Sequence, residues 1–477
     1  MTPNGRICHA LVALAALGFT NIGLAQEEEE AAAEGSAQGV PVDGEPSARG
    51  AQAVVEEPPG EEPEESTSVV ETPPSEPEAS PSEGRILGEE LRPKGEEEMM
   101  GAHPVEPGGI AFKPGKGLEI NSADGDFQLR IRVRVQFLYT LVRGNVGPRE
   151  ADEPEELRNE FQIRRARFIF QGNAFGKDNH YKLEIDPTRP DSVVLDYYLD
   201  FTQNKNVEVR VGQYKLSSNR ERVISSGDLQ MVDRSQVNSE FSLDRDIGVD
   251  IRSRDFLGKN KMRYVLGISA GNGINNFRFQ DFGVVYLIRL EYLPLGIFDD
   301  YTEADFERTK PRLSLGATYA FFNNADQVRG MVGAPFADGG TANYNFAYVD
   351  AMFKARGFSL LSEFALRTGT RSIGDITTDP DGNPVEPTAP RNGVGWMAQA
   401  GYMIPKIRLE FAGRGSIIRS ITSNTSLPES NGVTFSLSWY FFEHPFKIQA
   451  DVSEDWSTSE AFGDGGTTVR IQLQASL

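Results

Sequence analysis

The chain has 477 residues, 39% of them hydrophobic, and a formal net charge of −22 at pH 7. So acidic a chain excludes a strongly basic nucleic-acid-binding protein, and no stretch approaches the ~18 consecutive apolar residues of a membrane-spanning helix. The single cysteine, Cys8, and the four histidines leave little material for a disulfide framework or a metal centre. We therefore expect no metal site and no cofactor.

The first 25 residues are predicted to be a secretory signal peptide. Arg6 supplies a positive start, residues 7–19 form a short apolar stretch, and 23–25 offer small residues before a cleavage point. The alternative is a buried helix of a cytosolic domain, but no other amphipathic helix follows for it to pack against. The pattern therefore predicts an exported protein.

Residues 26–107 are predicted to be a disordered acidic segment. They are rich in Glu, Pro, Ser, Ala and Gly and contain 23 acidic against 4 basic residues. Such a composition cannot bury enough apolar surface to offset the chain entropy lost on folding. We interpret the segment as a self-repelling spacer in the periplasm. A tether through the envelope and a cation-binding tail remain open alternatives.

From about residue 108 apolar and polar residues alternate with a period of two, which predicts β-strands. The clearest case is 127–139, where Arg130, Arg132 and Arg134 lie opposite a wholly apolar face. An even number of strands, with short turns alternating with long connections, is typical of an outer-membrane barrel. We therefore predict an all-β fold for 108–477, a 16-stranded antiparallel transmembrane β-barrel. The predicted strands are 127–139, 161–173, 180–186, 193–202, 207–214, 246–254, 262–270, 282–293, 312–322, 343–355, 358–370, 393–403, 406–416, 432–441, 446–456 and 467–477.

Energy decides which face of these strands meets lipid. An arginine facing lipid at mid-depth costs roughly 2–4 kcal/mol, so the three arginines of the first strand are expected to face a wet lumen. Closure of the sheet removes its edges and lets strands span a bilayer. A soluble β-sandwich or propeller is the alternative. The connection near 295–311 is too long for a tight turn and does not fit the barrel layout.

Four segments of the barrel region carry a recognisable pattern: 164–167 (Arg-Arg-Ala-Arg), 209–215 (Val-Arg-Val-Gly-Gln-Tyr-Lys), 244–249 (Asp-Arg-Asp-Ile-Gly-Val) and 470–474 (Arg-Ile-Gln-Leu-Gln). They resemble the phosphate-selective porin O/P family. The resemblance implies a 16-stranded outer-membrane channel, usually a homotrimer in outer-membrane lipid, that passes small anions such as phosphate. It also implies that the loop after the fifth strand folds into the pore. In this chain that loop corresponds to 215–245 and carries Arg220, Arg222, Arg234 and Arg245.

A ladder of arginines is the candidate anion path. Neighbours on the first strand lie about 7 Å apart, twice the rise per strand residue, and guanidinium groups bind oxyanions through paired hydrogen bonds. A row of such groups lets an anion pass from one to the next. Alternatively, the arginines pair with the lumen acids Glu184, Asp186, Asp196, Asp200 and Glu208 and only stiffen the wall. The predicted path consists of Arg130, Arg132, Arg134, Arg165, Arg167 and Arg210.

No catalytic residues are predicted. Residues 267–271 match the pattern G-x-S-x-G, but they end an alternating strand and are followed by the turn signal Asn272-Gly273, with only His444 downstream as a base. We expect a porin for passive diffusion of small anions, phosphate or polyphosphate being candidates, and not an enzyme. The alternatives are a weakly selective or structural barrel with an acidic tether, and a secreted soluble β-rich protein.

Overall fold

The computed structural model describes residues 108–144, 157–190, 193–276 and 283–477. The predicted signal peptide and acidic segment lie outside the described residues. The strands are β1 (Ile110–Lys113), β2 (Gly117–Asn121), β3 (Gln128–Arg143), β4 (Arg158–Asn173), β5 (Asn179–Ile185), β6 (Val194–Phe201), β7 (Glu208–Lys215), β8 (Arg245–Ser253), β9 (Met262–Ser269), β10 (Val284–Tyr292), β11 (Arg312–Ala325), β12 (Thr341–Ala355), β13 (Phe358–Ser372), β14 (Gly393–Ile404), β15 (Leu409–Ser420), β16 (Ser430–Phe442), β17 (Phe446–Ser457) and β18 (Gly466–Ser476).

Strands β3 to β18 form one closed antiparallel barrel of sixteen strands. Each pairs with its neighbours in the chain, and β18 closes the sheet by pairing with β3, from Ser476 opposite Arg134 to Thr467 opposite Arg143. Each of the sixteen predicted segments coincides with one of these strands, so the predicted all-β barrel is confirmed. Closure rules out the alternative of an open soluble sandwich.

The hairpin of β1 and β2 was not predicted. Strand β2 pairs with the first residues of β3, Glu119 lying opposite Arg130. It lies on the same side of β3 as β18, which pairs with the rest of that strand. Its residues lie among closely spaced glycines and lysines, so the alternation is too short to be recognised as a strand in the sequence.

The two ends of the barrel differ in the length of their connections. Arg356 and Gly357 both have positive φ, 52° and 94°, as a two-residue hairpin turn requires. We call the end with these turns the turn side and the opposite end the loop side. Connections at the turn side include 174–178, 202–207, 356–357 and 443–445. Connections at the loop side include 216–244, 326–340, 373–392 and 421–429.

The outer face of the barrel is apolar and the inner face polar or packed. In β10 the outward side chains Tyr286, Ile288 and Leu290 are exposed, whereas Arg289 and Glu291 between them are buried. Apolar-out alternation of this kind is the arrangement that a lipid-facing barrel needs.

The connection 216–244, here called the pore loop, folds into the barrel and contains two short helices, α1 (Arg220–Val223) and α2 (Gln236–Phe241). It binds distant walls: Gln230 Nε2 donates to Glu410 Oε1 at 2.6 Å, and Val232 N donates to Asp451 Oδ2 at 3.0 Å. Irregular backbone at membrane depth is tolerated where protein surrounds it. Within the described ranges no helix is long and apolar enough to cross a membrane.

The connection 293–311, here called the inner segment, enters the barrel from the turn side and meets the pore loop. Its Glu303 backbone N–H donates to the carbonyl of Asp228 at 3.2 Å, and the Glu303 carboxylate accepts from Gln230 N at 2.7 Å. This inward fold explains why the connection is longer than a tight turn.

The sequence suggested a wet lumen, but apolar side chains fill part of it. Val237 and Phe241 of the pore loop belong to one buried apolar cluster with inward side chains of the wall, among them Tyr348 and Met397. Burial of apolar surface stabilises the folded state by about 25 cal/mol per Å² removed from water. The cluster therefore anchors the pore loop to the wall, chiefly to β10–β15.

Candidate functional site

A cavity of about 80 Å³ lies between the pore loop and the wall of β3 to β8. We call it the basic chamber, because seven cationic side chains line it against three carboxylates. An excess of one sign of charge in a confined space raises the local concentration of the opposite ion. The cationic side chains are Arg132, Arg134, Arg167, Lys182, Arg210, Lys215 and Arg245, and the carboxylates are Glu184, Asp196 and Asp228.

At two places in this wall, two cationic residues lie directly opposite each other on neighbouring strands. Arg134 lies directly opposite Arg167 in the β3–β4 ladder, and Lys215 lies directly opposite Arg245 in the β7–β8 ladder. Like charges in direct cross-strand positions are destabilising. The wall therefore holds a local excess of positive charge that a bound anion would relieve.

The three arginines of β3 have different environments. Arg130 pairs with Glu119 of β2 at 3.1 Å and does not line the basic chamber. Arg132 and Arg134 both line it. Arg134 is 4% exposed and donates from Nη1 to Ser225 Oγ at 2.9 Å, while its Nε has no hydrogen-bond partner among the described residues.

Arg167 and Arg210 line the chamber while holding wall carboxylates. Arg167 pairs with Glu184 at 2.5 Å and with Asp186 at 3.3 Å. Arg210 binds Asp200 through two hydrogen bonds of 2.6 and 2.7 Å. These two arginines are therefore paired with lumen acids, as the alternative interpretation of the ladder expected.

Arg165 holds the pore loop and does not line the chamber. A β-bulge at Arg164 directs two consecutive arginines to Asp233, at 3.2 Å and 3.0 Å, and Arg470 approaches the same carboxylate at 3.7 Å. Burial alone would raise the pKa of Asp233, but these guanidinium groups lower it to about 2. Asp233 therefore remains ionised and ties the loop to β4 and β18.

Three of the four arginines at 215–245 do not line the chamber but bind carboxylates or carbonyl groups that hold the fold together. Arg222 pairs with Asp244. Arg234 donates to the carbonyls of Glu221 and Ile224, and burial lowers its pKa. Arg245 is the exception, because it lines the chamber while pairing with Asp196 at 2.6 Å.

Arg220 forms the centre of a buried ion network. Its guanidinium is fully buried and lies 2.7 Å from Asp350, 2.7 Å from Asp300 and 3.3 Å from Glu291. Asp300 belongs to the inner segment, so the network joins that segment, the pore loop and the wall. Arg220 thus anchors the pore loop and does not face open space. Two further wall arginines complete the network, Arg263 and Arg289.

Several chamber residues were not singled out from the sequence. Lys215 donates to the carbonyls of Val223 and Ile224, both at 3.2 Å, and its position at the end of the family-like segment 209–215 was the available signal. Lys182 alternates with apolar residues along β5 and shares its face with acids. This pattern indicated only a polar face. Nothing in the sequence marks Asp228, because its position depends on the fold of the pore loop.

The G-x-S-x-G pattern has no catalytic geometry. Ser269 ends β9, whereas His444 lies in the turn between β16 and β17, and no hydrogen bond joins them in the part of the chain that the structure describes. A search of the same residues finds no group of His, Cys, Asp and Glu able to hold a metal ion.

Residues 142–333 match the family model of the phosphate-selective porins O and P. The resemblance to that family is confirmed. The matched range contains the pore loop and eight of the sixteen barrel strands in full. Together with the closed barrel, the match supports an outer-membrane porin, a channel rather than an enzyme. No curated protein matches the sequence.

Several solved outer-membrane proteins match the chain at low sequence identity. An anion-selective porin from Comamonas acidovorans gives a TM-score of 0.47 at 9% identity, over 73% of this chain and 99% of that chain. The channel DcaP of Acinetobacter baumannii gives 0.45 at 12% identity, over 73% and 97%. A loop L8 deletion mutant of OmpT from Vibrio cholerae gives 0.46 at 9%, over 73% and 99%. These scores are too low to support an argument about the solute of this porin, which is inferred from its own residues.

Proposed function

We propose that this porin lets small anions diffuse passively across the outer membrane along the basic chamber, phosphate and polyphosphate being candidate solutes. The excess of cationic side chains in the chamber carries the proposal. Among the described residues, neither Arg134 nor Lys215 forms an ion pair with a carboxylate. Because a buried charge without a partner is costly, an anion in the chamber stabilises both.

The paired arginines support the same route. Carboxylates hold Arg167 and Arg210 in fixed positions, so the wall does not have to reorganise when a solute arrives. A guanidinium keeps its charge at any working pH. Pairing also lowers the net charge, which keeps a solute from being held too tightly to leave.

A thiol introduced into the chamber tests this route. Ser225→Cys in a Cys8→Ser background places one cysteine beside Arg134, which the native serine contacts at 2.9 Å. A methanethiosulfonate reagent that carries a sulfonate is expected to react at least about tenfold faster than one that carries trimethylammonium, because a basic cleft attracts anions. Modification should also reduce the single-channel current.

Ser359→Cys is the matched control, since the native serine is 1% exposed and covered by Gln230 of the pore loop. It should react slowly with both reagents. Faster reaction of Ser225→Cys with the cationic reagent would contradict an anion route, and equal reaction at both positions would contradict its location.

We further infer a homotrimer in the outer membrane of a Gram-negative-type bacterium, with 1–25 removed as a signal peptide and 26–107 in the periplasm.

Deletion of 26–107 is expected to leave the barrel folded, because the segment has too few apolar residues to contribute a packed surface. The measurement is the mobility difference between unboiled and boiled protein on a denaturing gel. Loss of that difference would contradict the expectation, whereas loss of envelope attachment alone would favour the tether.

A further inference from the structure

A second cavity, of about 170 Å³, lies at the turn side of the barrel. We call it the acidic cavity, because five carboxylates line it against one arginine and one lysine. The inner segment supplies three of the carboxylates, Asp299, Asp305 and Glu307. The chamber and this cavity thus have opposite charge.

One residue lines both spaces. Asp228 of the pore loop belongs to the lining of the basic chamber and to that of the acidic cavity. Its backbone is held on both sides, since its N–H donates to the Ser225 carbonyl at 3.0 Å and its carbonyl accepts from Glu303 N at 3.2 Å. The two cavities therefore adjoin at Asp228, a residue whose backbone is held in place.

The Asp228 carboxylate has no side-chain hydrogen bond and no ion pair among the described residues. Asp233, five residues along the same loop, shows the contrast, because three arginines surround it. In the acidic cavity Asp305 is likewise satisfied by Arg312 and by Gly357 N. Both carboxylate oxygens of Asp228 are thus available to a passing solute.

Other polar groups of the acidic cavity also lack partners. His444 is 6% exposed and lines the cavity, and its Nε2 has no hydrogen-bond partner within the described ranges. One oxygen of Asp299, Oδ1, is unpartnered in the same way. Buried polar atoms without partners are rare in folded proteins, so the cavity is suited to polar contents.

We infer that the junction at Asp228 favours small zwitterionic solutes of the α-amino-acid type, which carry an anionic and a cationic group a few bonds apart. The anionic group binds the arginines of the chamber, as the proposed function requires, and this inference rests on it. A purely anionic solute meets repulsion at Asp228 after attraction in the chamber. A solute with both charges finds a partner for each.

Efflux of labelled alanine and labelled lactate from proteoliposomes in one common salt tests the inference. The two solutes have nearly the same size, but lactate has a hydroxyl where alanine has an ammonium group. Wild-type protein is expected to release alanine roughly fivefold faster, the effect of about one unit charge at 4 Å in water. Asp228→Asn should abolish that preference, whereas Asp228→Glu should keep it.

Asp381→Asn is the matched control, since Asp381 is an exposed carboxylate of a loop-side connection and its replacement changes the charge equally. It should leave the alanine-to-lactate ratio unchanged. Faster release of lactate by the wild type, or an unchanged ratio in Asp228→Asn, would overturn the inference while leaving the anion porin intact. Release of neither solute by a folded barrel would overturn the proposed function itself.

Discussion

Replacing Arg220 by methionine is expected to lower the free energy of unfolding by about 3–5 kcal/mol. The side chain is fully buried and pairs with three carboxylates, those of Asp350, Asp300 and Glu291. Methionine has a similar length but no charge, so it leaves an excess of buried negative charge. The measurement is the denaturant midpoint of the refolded barrel in detergent, compared with wild type at equal slope.

Lys205→Met provides the control for the loss of a paired cation. Lys205 forms a single contact of 3.4 Å with Asp255, and its side chain is 55% exposed. An exposed pair of this kind contributes about 0–1 kcal/mol. Equal midpoints for the two variants would show that the network around Arg220 does not anchor the pore loop.

Replacing Arg132 and Arg134 together by glutamine is expected to shift the ion selectivity strongly toward cations. Both side chains line the basic chamber. Each removed charge changes the energy of a nearby ion by about 1 kcal/mol even in water, roughly fivefold in local concentration. The shift should be largest at low salt and shrink above ~0.1 M, where screening shortens the reach of the charges.

Lys259→Gln with Lys261→Gln removes the same charge from an exposed turn between β8 and β9. This control should leave the selectivity close to that of wild type. If it shifts selectivity as much as the chamber variant, the surface charge of the turn side determines selectivity and the chamber does not.

The sequence predicted the barrel well because the bilayer imposes one simple pattern on every strand. Apolar residues must face lipid and polar residues must face inward, so alternation alone locates Phe127–Tyr139 in β3 and the other fifteen strands. The family-like segment 209–215 likewise located the loop that folds inward. The first prediction depended on short-range order, which a single sequence contains, and the second on the resemblance to the porin family.

The contacts inside the lumen could not be predicted, because they join residues far apart in the chain. Arg220 meets Asp350 across 130 positions, and the inward fold of the inner segment has no local pattern. Whether an arginine of the ladder is paired depends on the same distant contacts. The bulge that turns Arg164 toward Asp233 also changes the alternation on which the prediction relied.

The zero-current potential of the wild-type channel in a gradient of potassium chloride tests the central claim most directly. The basic chamber predicts a zero-current potential close to the equilibrium potential of chloride. Replacing Arg132 and Arg134 by glutamine should move it toward the equilibrium potential of potassium. An unmodified channel that already prefers potassium would contradict an anion route through the chamber.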